Sequence, residues 1–253
     1  MNRIISVSNH KGGVGKTTSV VNIGAGLANN GRKVLLIDLD PQANMTISYG
    51  LAESDNHIYN AHSNGNGLKP ITVRENIDII PASTNLAEAE VELKVKDGAE
   101  NPISELIAPI KDNYDYIIID CPPSLGLLTL SAFAASTEVI IPIQPHFLAV
   151  KGLAKIIEVV NNIKANINRK VEISAVFVTM YDKRRILHKD VLDTIIMYFD
   201  DRVFNTKIRS NIALAEAPAT GQDIFEYDKN SNGAFDYGKI VKEVIAMEEK
   251  FGN

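Results

Sequence analysis

Apolar residues fall along this chain in two alternating patterns. Short runs at Ile4–Ser8, Val34–Asp38, Ile77–Ile80, Tyr116–Asp120, Val139–Ile143 and Ile173–Thr179 are rich in β-branched residues and nearly continuous in apolar character. Strands covered on both faces read this way, because neither face is left for water. Between them, Thr17–Asn29, Leu86–Lys96, Ile103–Lys111, Leu125–Ala134, Leu148–Ile167 and Ile186–Phe199 carry helical spacing. The alternation predicts an α/β fold, a mostly parallel central sheet with helices on both faces, forming one domain over residues 1–253. Right-handed crossovers then bring the C-terminal ends of the strands to one edge, where ligands bind. Residues 53–70 interrupt the rhythm with Ser54-Asp55-Asn56-His57 and Ser63-Asn64-Gly65-Asn66-Gly67, which predicts a surface loop. Residues 235–250 carry the spacing of a terminal amphipathic helix.

Composition narrows the class. Hydrophobic residues at 45% and charged residues at 23% exclude wholesale disorder. The single cysteine, Cys121, excludes an internal disulfide, fits a cytoplasmic chain and reads as packing beside Asp120. A net charge of -5 excludes a globally basic coat but leaves room for a local basic patch. The first strand runs straight into a glycine-rich loop without a signal peptide, and no apolar stretch is long enough to span a bilayer. Glu243, Glu248 and Glu249 offset the lysines of the tail, which predicts a packed helix rather than a membrane anchor.

The sharpest chemical signal is His10-Lys11-Gly12-Gly13-Val14-Gly15-Lys16-Thr17-Thr18, placed after a strand and opening a helix. Glycines let successive backbone N–H groups turn toward an anion, and the helix N-terminus adds its positive end. In such a phosphate loop Lys16 reaches the β- and γ-phosphates, Thr17 offers a hydroxyl to Mg²⁺, and Thr18 lies near the α-phosphate. The standard spacing G-x-x-x-x-G-K-S/T fails, because His10 stands where its first glycine belongs. Lys11 sits too early in the loop to share a phosphate face with Lys16, so it is expected to point outward, toward phosphates held by a second subunit. A glycine-rich turn with solvated lysines is the plain alternative. Gly24 and Gly26, inside the following helix, each cost about 1 kcal/mol against Ala, which predicts close packing of that helix on the sheet.

Two strands end in acids, Leu35-Leu36-Ile37-Asp38-Leu39-Asp40-Pro41 and Ile117-Ile118-Ile119-Asp120-Cys121-Pro122. A carboxylate at the end of a buried strand is costly unless it faces a cation. Asp120 is expected to hold Mg²⁺ through water, and Asp40 to orient the attacking water and touch the metal shell. Asp38 lies within reach of the same shell. Capping of neighbouring loops is the alternative role for Asp38 and Asp40. The prolines stiffen both loops, as switch segments require.

Lys11-Gly12-Gly13-Val14-Gly15-Lys16-Thr17-Thr18, Asp38-Leu39-Asp40-Pro41-Gln42, Asp120-Cys121-Pro122-Pro123-Ser124, Thr179-Met180-Tyr181-Asp182 and Glu216-Ala217-Pro218 occur in this order. Together they resemble the ParA/Soj branch of the deviant Walker ATPases, with MinD-type ATPases as cousins. The resemblance implies Mg²⁺-dependent ATP hydrolysis, slow without a partner, and an ATP-bound homodimer in which Lys11 reaches the partner's nucleotide. It implies non-specific binding of double-stranded DNA, and stimulation by a ParB-like centromere-binding protein. It assigns Asp40 to hydrolysis and Asn211 to an adenine contact, and it implies a cytoplasmic, nucleoid-associated protein. The chain departs from that pattern with Arg209-Ser210 before Asn211, with Ala213 where an arginine that contacts DNA is frequent, and with His146 and Lys151 where acids are usual. Because the sequence opens at its first strand, it is expected to lack the helix-turn-helix domain of larger plasmid relatives.

The basic run Lys183-Arg184-Arg185, followed by His188 and Lys189, is the candidate DNA surface, since a phosphate backbone needs several cations on one face. Arg184 matches a family DNA contact. A solvated helix start is the alternative reading. Among other functions, a MinD-like regulator that cycles on a membrane would need a basic tail. A ligase of the dethiobiotin synthetase type would not need Lys11. A GTPase would need an Asn-Lys-x-Asp motif, which the sequence lacks.

Overall fold

A computed structural model of the chain describes residues 2–52, 57–65, 67–87, 102–147 and 149–251. Seven strands form one sheet: β1 (Arg3–Val7), β2 (Val34–Asp38), β3 (Ile71–Arg74), β4 (Ile77–Ile80), β5 (Tyr116–Asp120), β6 (Glu138–Ile143) and β7 (Glu172–Val178). Their order is β3-β4-β2-β5-β1-β6-β7. Every pairing is parallel except that of β3 with β4. Period-2 alternation splits the strand side chains between two cores. Leu35, Ile37, Ile117, Ile119, Val139 and Ile141 pack under helices Pro102–Ile107, Leu127–Ala135, Ala149–Asn166 and Ile186–Phe199. Ile5, Val7, Leu36, Ile118 and Ile140 pack under helices Lys16–Asn29 and Asn232–Ala246. The β6–β7 register slips after Val139, which pairs with Ile173 while Ile140 pairs with Ala175. The extra residue flips the parity of β7, so that Ile173 and Val176 face the same core.

The helix glycines are explained by contact. A Cβ built on Gly24 would lie 2.8 Å from Leu36 Cδ2, and one on Gly26 would collide with Val241. The Lys16–Asn29 helix therefore lies close to the sheet and to the terminal helix. That terminal helix begins at Asn232, earlier than the expected 235, with Ser231 Oγ as N-cap acceptor from the Ala234 amide. A short turn of helix, Glu248–Phe251, follows it.

Three expectations need correction. Residues 53–70 are not a loop throughout, because Ile58–Asn64 is a helix whose Ile58 and Ala61 are buried against the core. Ile71–Arg74 forms an antiparallel edge strand that the spacing did not indicate. The short helices Asn44–Ser48, Ala213–Glu216 and Ile224–Tyr227 were likewise unforeseen. The expected Leu86–Lys96 helix lies, beyond Ala87, outside the described residues.

Candidate functional site: a phosphate loop at the carboxyl edge of the sheet

The loop between β1 and the Lys16–Asn29 helix is built on left-handed glycines, Gly13 at φ 72° and Gly15 at φ 87°. Side chains rarely adopt that backbone, which is why glycine stands there. A Cβ added to Gly12 or Gly13 would meet nothing within 4 Å, so the loop is an open cradle. Its walls are pinned from two strands. Asn9 Nδ2 donates to the Pro142 carbonyl at 2.8 Å and its Oδ1 accepts from the Lys11 amide at 3.0 Å. Thr179 Oγ1, just past β7, donates to the Val14 carbonyl at 2.8 Å.

The two lysines of the loop have opposite environments. Lys16 is 6% exposed, and its ammonium donates to the Lys11 carbonyl at 3.2 Å. Burial pulls its pKa down, and the nearby Asp120 and Asp40 oppose that. Lys11 is exposed on the rim, 3.5 Å from Gln144 Oε1.

Strand parity brings the acids under the loop. Asp38 and Asp120 are register neighbours on β2 and β5, on the face covered by the Lys16–Asn29 helix. Thr17 Oγ1 donates to Asp120 Oδ2 at 2.7 Å. Asp120 Oδ1 is buried without a hydrogen-bond partner. Burial, reinforced by Asp38, pushes the Asp120 pKa well up. Asp38 is also raised, to about 6, by burial, although Thr46 Oγ1 and the Thr46 and Asp40 amides donate to it. Asp38 thus acts as a loop cap, the alternative role read from the sequence. Asp40 is nearly buried, accepts from the Gln42 amide at 3.0 Å and lines the cavity. An orphaned carboxylate oxygen beside a threonine hydroxyl fits a hydrated Mg²⁺, which would supply charge neutralisation for phosphate oxygens.

The cavity over the loop has a volume of about 600 Å³. One end presents Gly12, Gly13, Lys16 and Thr17, and the other Met180, Leu214, Pro218 and Gln222. A cationic, glycine-lined end beside a mostly apolar one suits a nucleotide, phosphates first. Thr18 lines it as expected, whereas Asn211 does not, and its carboxamide oxygen instead caps Ala213 at 2.8 Å. Asn22 and Gln222 line the cavity unforeseen. Only the neighbouring Glu216-Ala217-Pro218 motif pointed to that wall.

Lys183, Arg184 and Arg185 lie together on a separate groove that also includes Lys207, Arg209 and Lys239, with a volume of about 1110 Å³. Not all of these cations are free. Arg184 donates to both Asp182 oxygens at 3.0 and 2.9 Å, and Arg185 lies 3.7 Å from the same carboxylate. Arg209 is held by Asp236 at 2.7 Å. His188, read as part of the basic surface, is buried, accepts from the Asp182 amide at 3.0 Å, and has its pKa lowered by burial. It lines the groove, but its ring nitrogen serves the turn and it brings no cation to the patch.

A phosphate loop and strand-end acids at the carboxyl edge of a mostly parallel sheet define a P-loop nucleotide-binding protein. A family model described as an AAA domain matches residues 2–173. The chromosome-partitioning ATPase Soj of Treponema pallidum is 42% identical over 252 residues, covering 98% of this chain and 99% of that protein. The chain therefore belongs to the ParA/Soj family of partition ATPases. Among solved structures, Mycobacterium smegmatis cobyrinic acid a,c-diamide synthase with bound ADP and magnesium is similar at TM-score 0.82 and 30% identity, over 100% of this chain and 97% of that one. Pyrococcus furiosus MinD is similar at TM-score 0.79 and 25% identity, over 98% and 100%.

Proposed function

We propose that this ATPase partitions DNA by a nucleotide-switched cycle. Each chain takes up ATP with Mg²⁺, and two chains close face to face with Lys11 of each neutralising the other's phosphates. Within one chain, the loop amides and Lys16 bind the phosphates, Thr17 and Asp120 hold the hydrated metal, and Asp40 orients the attacking water. The chemistry is mostly positioning and electrostatics, so an isolated chain is expected to turn over slowly. A ParB-like protein supplies the missing activation. The observation that carries the reading is the contrast between Lys16, buried in the loop, and Lys11, exposed on its rim. Light scattering with a non-hydrolysable ATP analogue tests it. The wild type should double in mass and Lys11→Ala should remain monomeric; a Lys11→Ala dimer contradicts the scheme.

The ATP-bound dimer binds double-stranded DNA without sequence preference and so resides on the nucleoid in the cytoplasm. The groove bearing Lys183, Arg184, Arg185, Lys207 and Lys239 supports this reading. Reversing Lys183, Arg184 and Arg185 to Glu should abolish analogue-dependent DNA retention.

A membrane-cycling role of the MinD kind is disfavoured by the packing of the tail. Arg3 Nη1 donates to the Val244 carbonyl at 2.6 Å, and Glu248 accepts from Arg32 at 2.9 and 2.8 Å and from Tyr116 at 2.6 Å. Among the described residues no helix is long and apolar enough to cross a membrane. Co-sedimentation with anionic liposomes and ATP should leave the protein in the supernatant.

A further inference from the structure

Gly152 is buried inside the Ala149–Asn166 helix and is not among the glycines with positive φ. Its backbone therefore does not call for glycine, and glycine in a helix interior costs about 1 kcal/mol relative to Ala. The reason lies in the phosphate loop. A Cβ built on Gly152 would collide with the His10 ring, with the ring nitrogens 2.6 and 2.8 Å from it. The imidazole occupies the notch that the missing side chain leaves.

We infer that this seat fixes the direction of Lys11, making His10 a positioning residue for the contact between subunits. The inference rests on the dimer reading given above. His10 stands between two residues already tied down. Asn9 is anchored to the Pro142 carbonyl and Lys11 N–H is anchored to Asn9 Oδ1. Seating the ring on Gly152 adds a third point and removes the rotation of the main chain that would swing Lys11 off the rim. The ammonium of Lys11 has its acceptor, Gln144 Oε1, just past β6, the strand whose Pro142 carbonyl anchors Asn9, so both ends of the lysine are tied to the end of one strand. Burial lowers the His10 pKa, and Lys155, Lys16 and Lys11 reinforce that effect. The ring thus seats by shape and leaves the charge at the rim to the lysines.

The position also separates two functions of the loop. Lys16, Thr17 and the later glycines lie beyond the seat, where Thr179 holds the Val14 carbonyl and Asp120 accepts from Thr17. Losing the seat should therefore spare nucleotide capture by one chain and impair closure of two.

The test compares His10→Ala, His10→Gln, Gly152→Ala and Lys11→Ala in the full chain. ADP·Mg²⁺ affinity is measured by calorimetry, and dimerisation with a non-hydrolysable ATP analogue by light scattering across protein concentration. Gly152→Ala improves helix propensity, and His10 is on the surface, so folding is not at stake. His10→Ala and Gly152→Ala should each weaken the dimer about 10-fold, roughly 1.4 kcal/mol, with ADP affinity within about 2-fold of wild type. His10→Gln, with a planar head of similar reach, should recover most of the dimer. The double variant should be no worse than either single one, because both remove one contact. Dimers of wild-type affinity in both His10→Ala and Gly152→Ala, beside a monomeric Lys11→Ala, would overturn the positioning role and leave the dimer reading intact. A dimeric Lys11→Ala would overturn the dimer reading itself.

Discussion

The two ends of the same strands treat buried charge in opposite ways. At the amino edge, Arg3 and Glu138 are essentially inaccessible, and their bidentate pair is closed at 2.7 and 2.6 Å. The remaining nitrogen of the guanidinium, Nη1, donates to the Tyr116 hydroxyl and the Val244 carbonyl. At the carboxyl edge, four residues further along β5 from Tyr116, Asp120 is as deeply buried but keeps one oxygen without a partner. Lys16 there donates to the carbonyl of its own loop. A buried charge with every partner supplied by the chain holds the fold together. One left incomplete is poised for a ligand, because desolvation is unfavourable until the ligand arrives.

The closed end is the more fragile of the two. Arg3→Ala strands Glu138 in the core and should destabilise the chain by about 3–5 kcal/mol, a fall in Tm of roughly 10 °C or more. Calorimetry should show this at any nucleotide concentration. At the open end the sign reverses. Asp120→Asn keeps the acceptor for Thr17 and removes an unpaired charge, so the unliganded protein should gain about 1–2 kcal/mol and melt a few degrees higher. The same variant should lose Mg²⁺-dependent nucleotide binding.

Proton linkage sharpens the contrast. Burial raises Asp38 to about 6, so the folded chain holds that proton more tightly than the unfolded one. Its contribution to the stability of the unliganded chain is thus complete below about pH 4 and disappears as pH rises through about 6. Asp38→Asn should remove that share of the dependence, an effect on the order of 3 kcal/mol across that window in pH-resolved unfolding curves, and leave the share of Asp120, which burial also raises. The smallest effect lies on the basic groove. Lys207→Gln or Lys239→Gln should weaken analogue-dependent DNA binding modestly and reduce the slope of log K against log salt by about 1 each.

Legibility from sequence followed the same physics. The six parallel strands were visible because burial on both faces selects unbroken β-branched runs, and the Ile186–Phe199 helix because its period is long enough to register. The Asn44–Ser48 helix is too short for a period, and Ile58–Asn64 was obscured by polar turn formers on either side of two buried apolar residues. The phosphate loop and the strand-end acids were legible because their chemistry is local in sequence. Side-chain pairings were not, even between near neighbours in the chain. Nothing in Lys183-Arg184-Arg185 indicates that Asp182 folds back onto both arginines, and nothing in His188 shows that its nitrogen serves the turn. Asn211 was carried by resemblance alone and lies outside the cavity lining.

The incomplete charges at the carboxyl edge are expected to be completed by Mg²⁺ and nucleotide. Thermal unfolding of wild type, Asp120→Asn and Arg3→Lys, each with and without saturating ADP and Mg²⁺, tests this directly. Ligand at about 100 times Kd should stabilise wild type and Arg3→Lys by about 2.7 kcal/mol. Asp120→Asn, already more stable alone, should gain little. An equal ligand-induced shift in all three proteins would contradict the account.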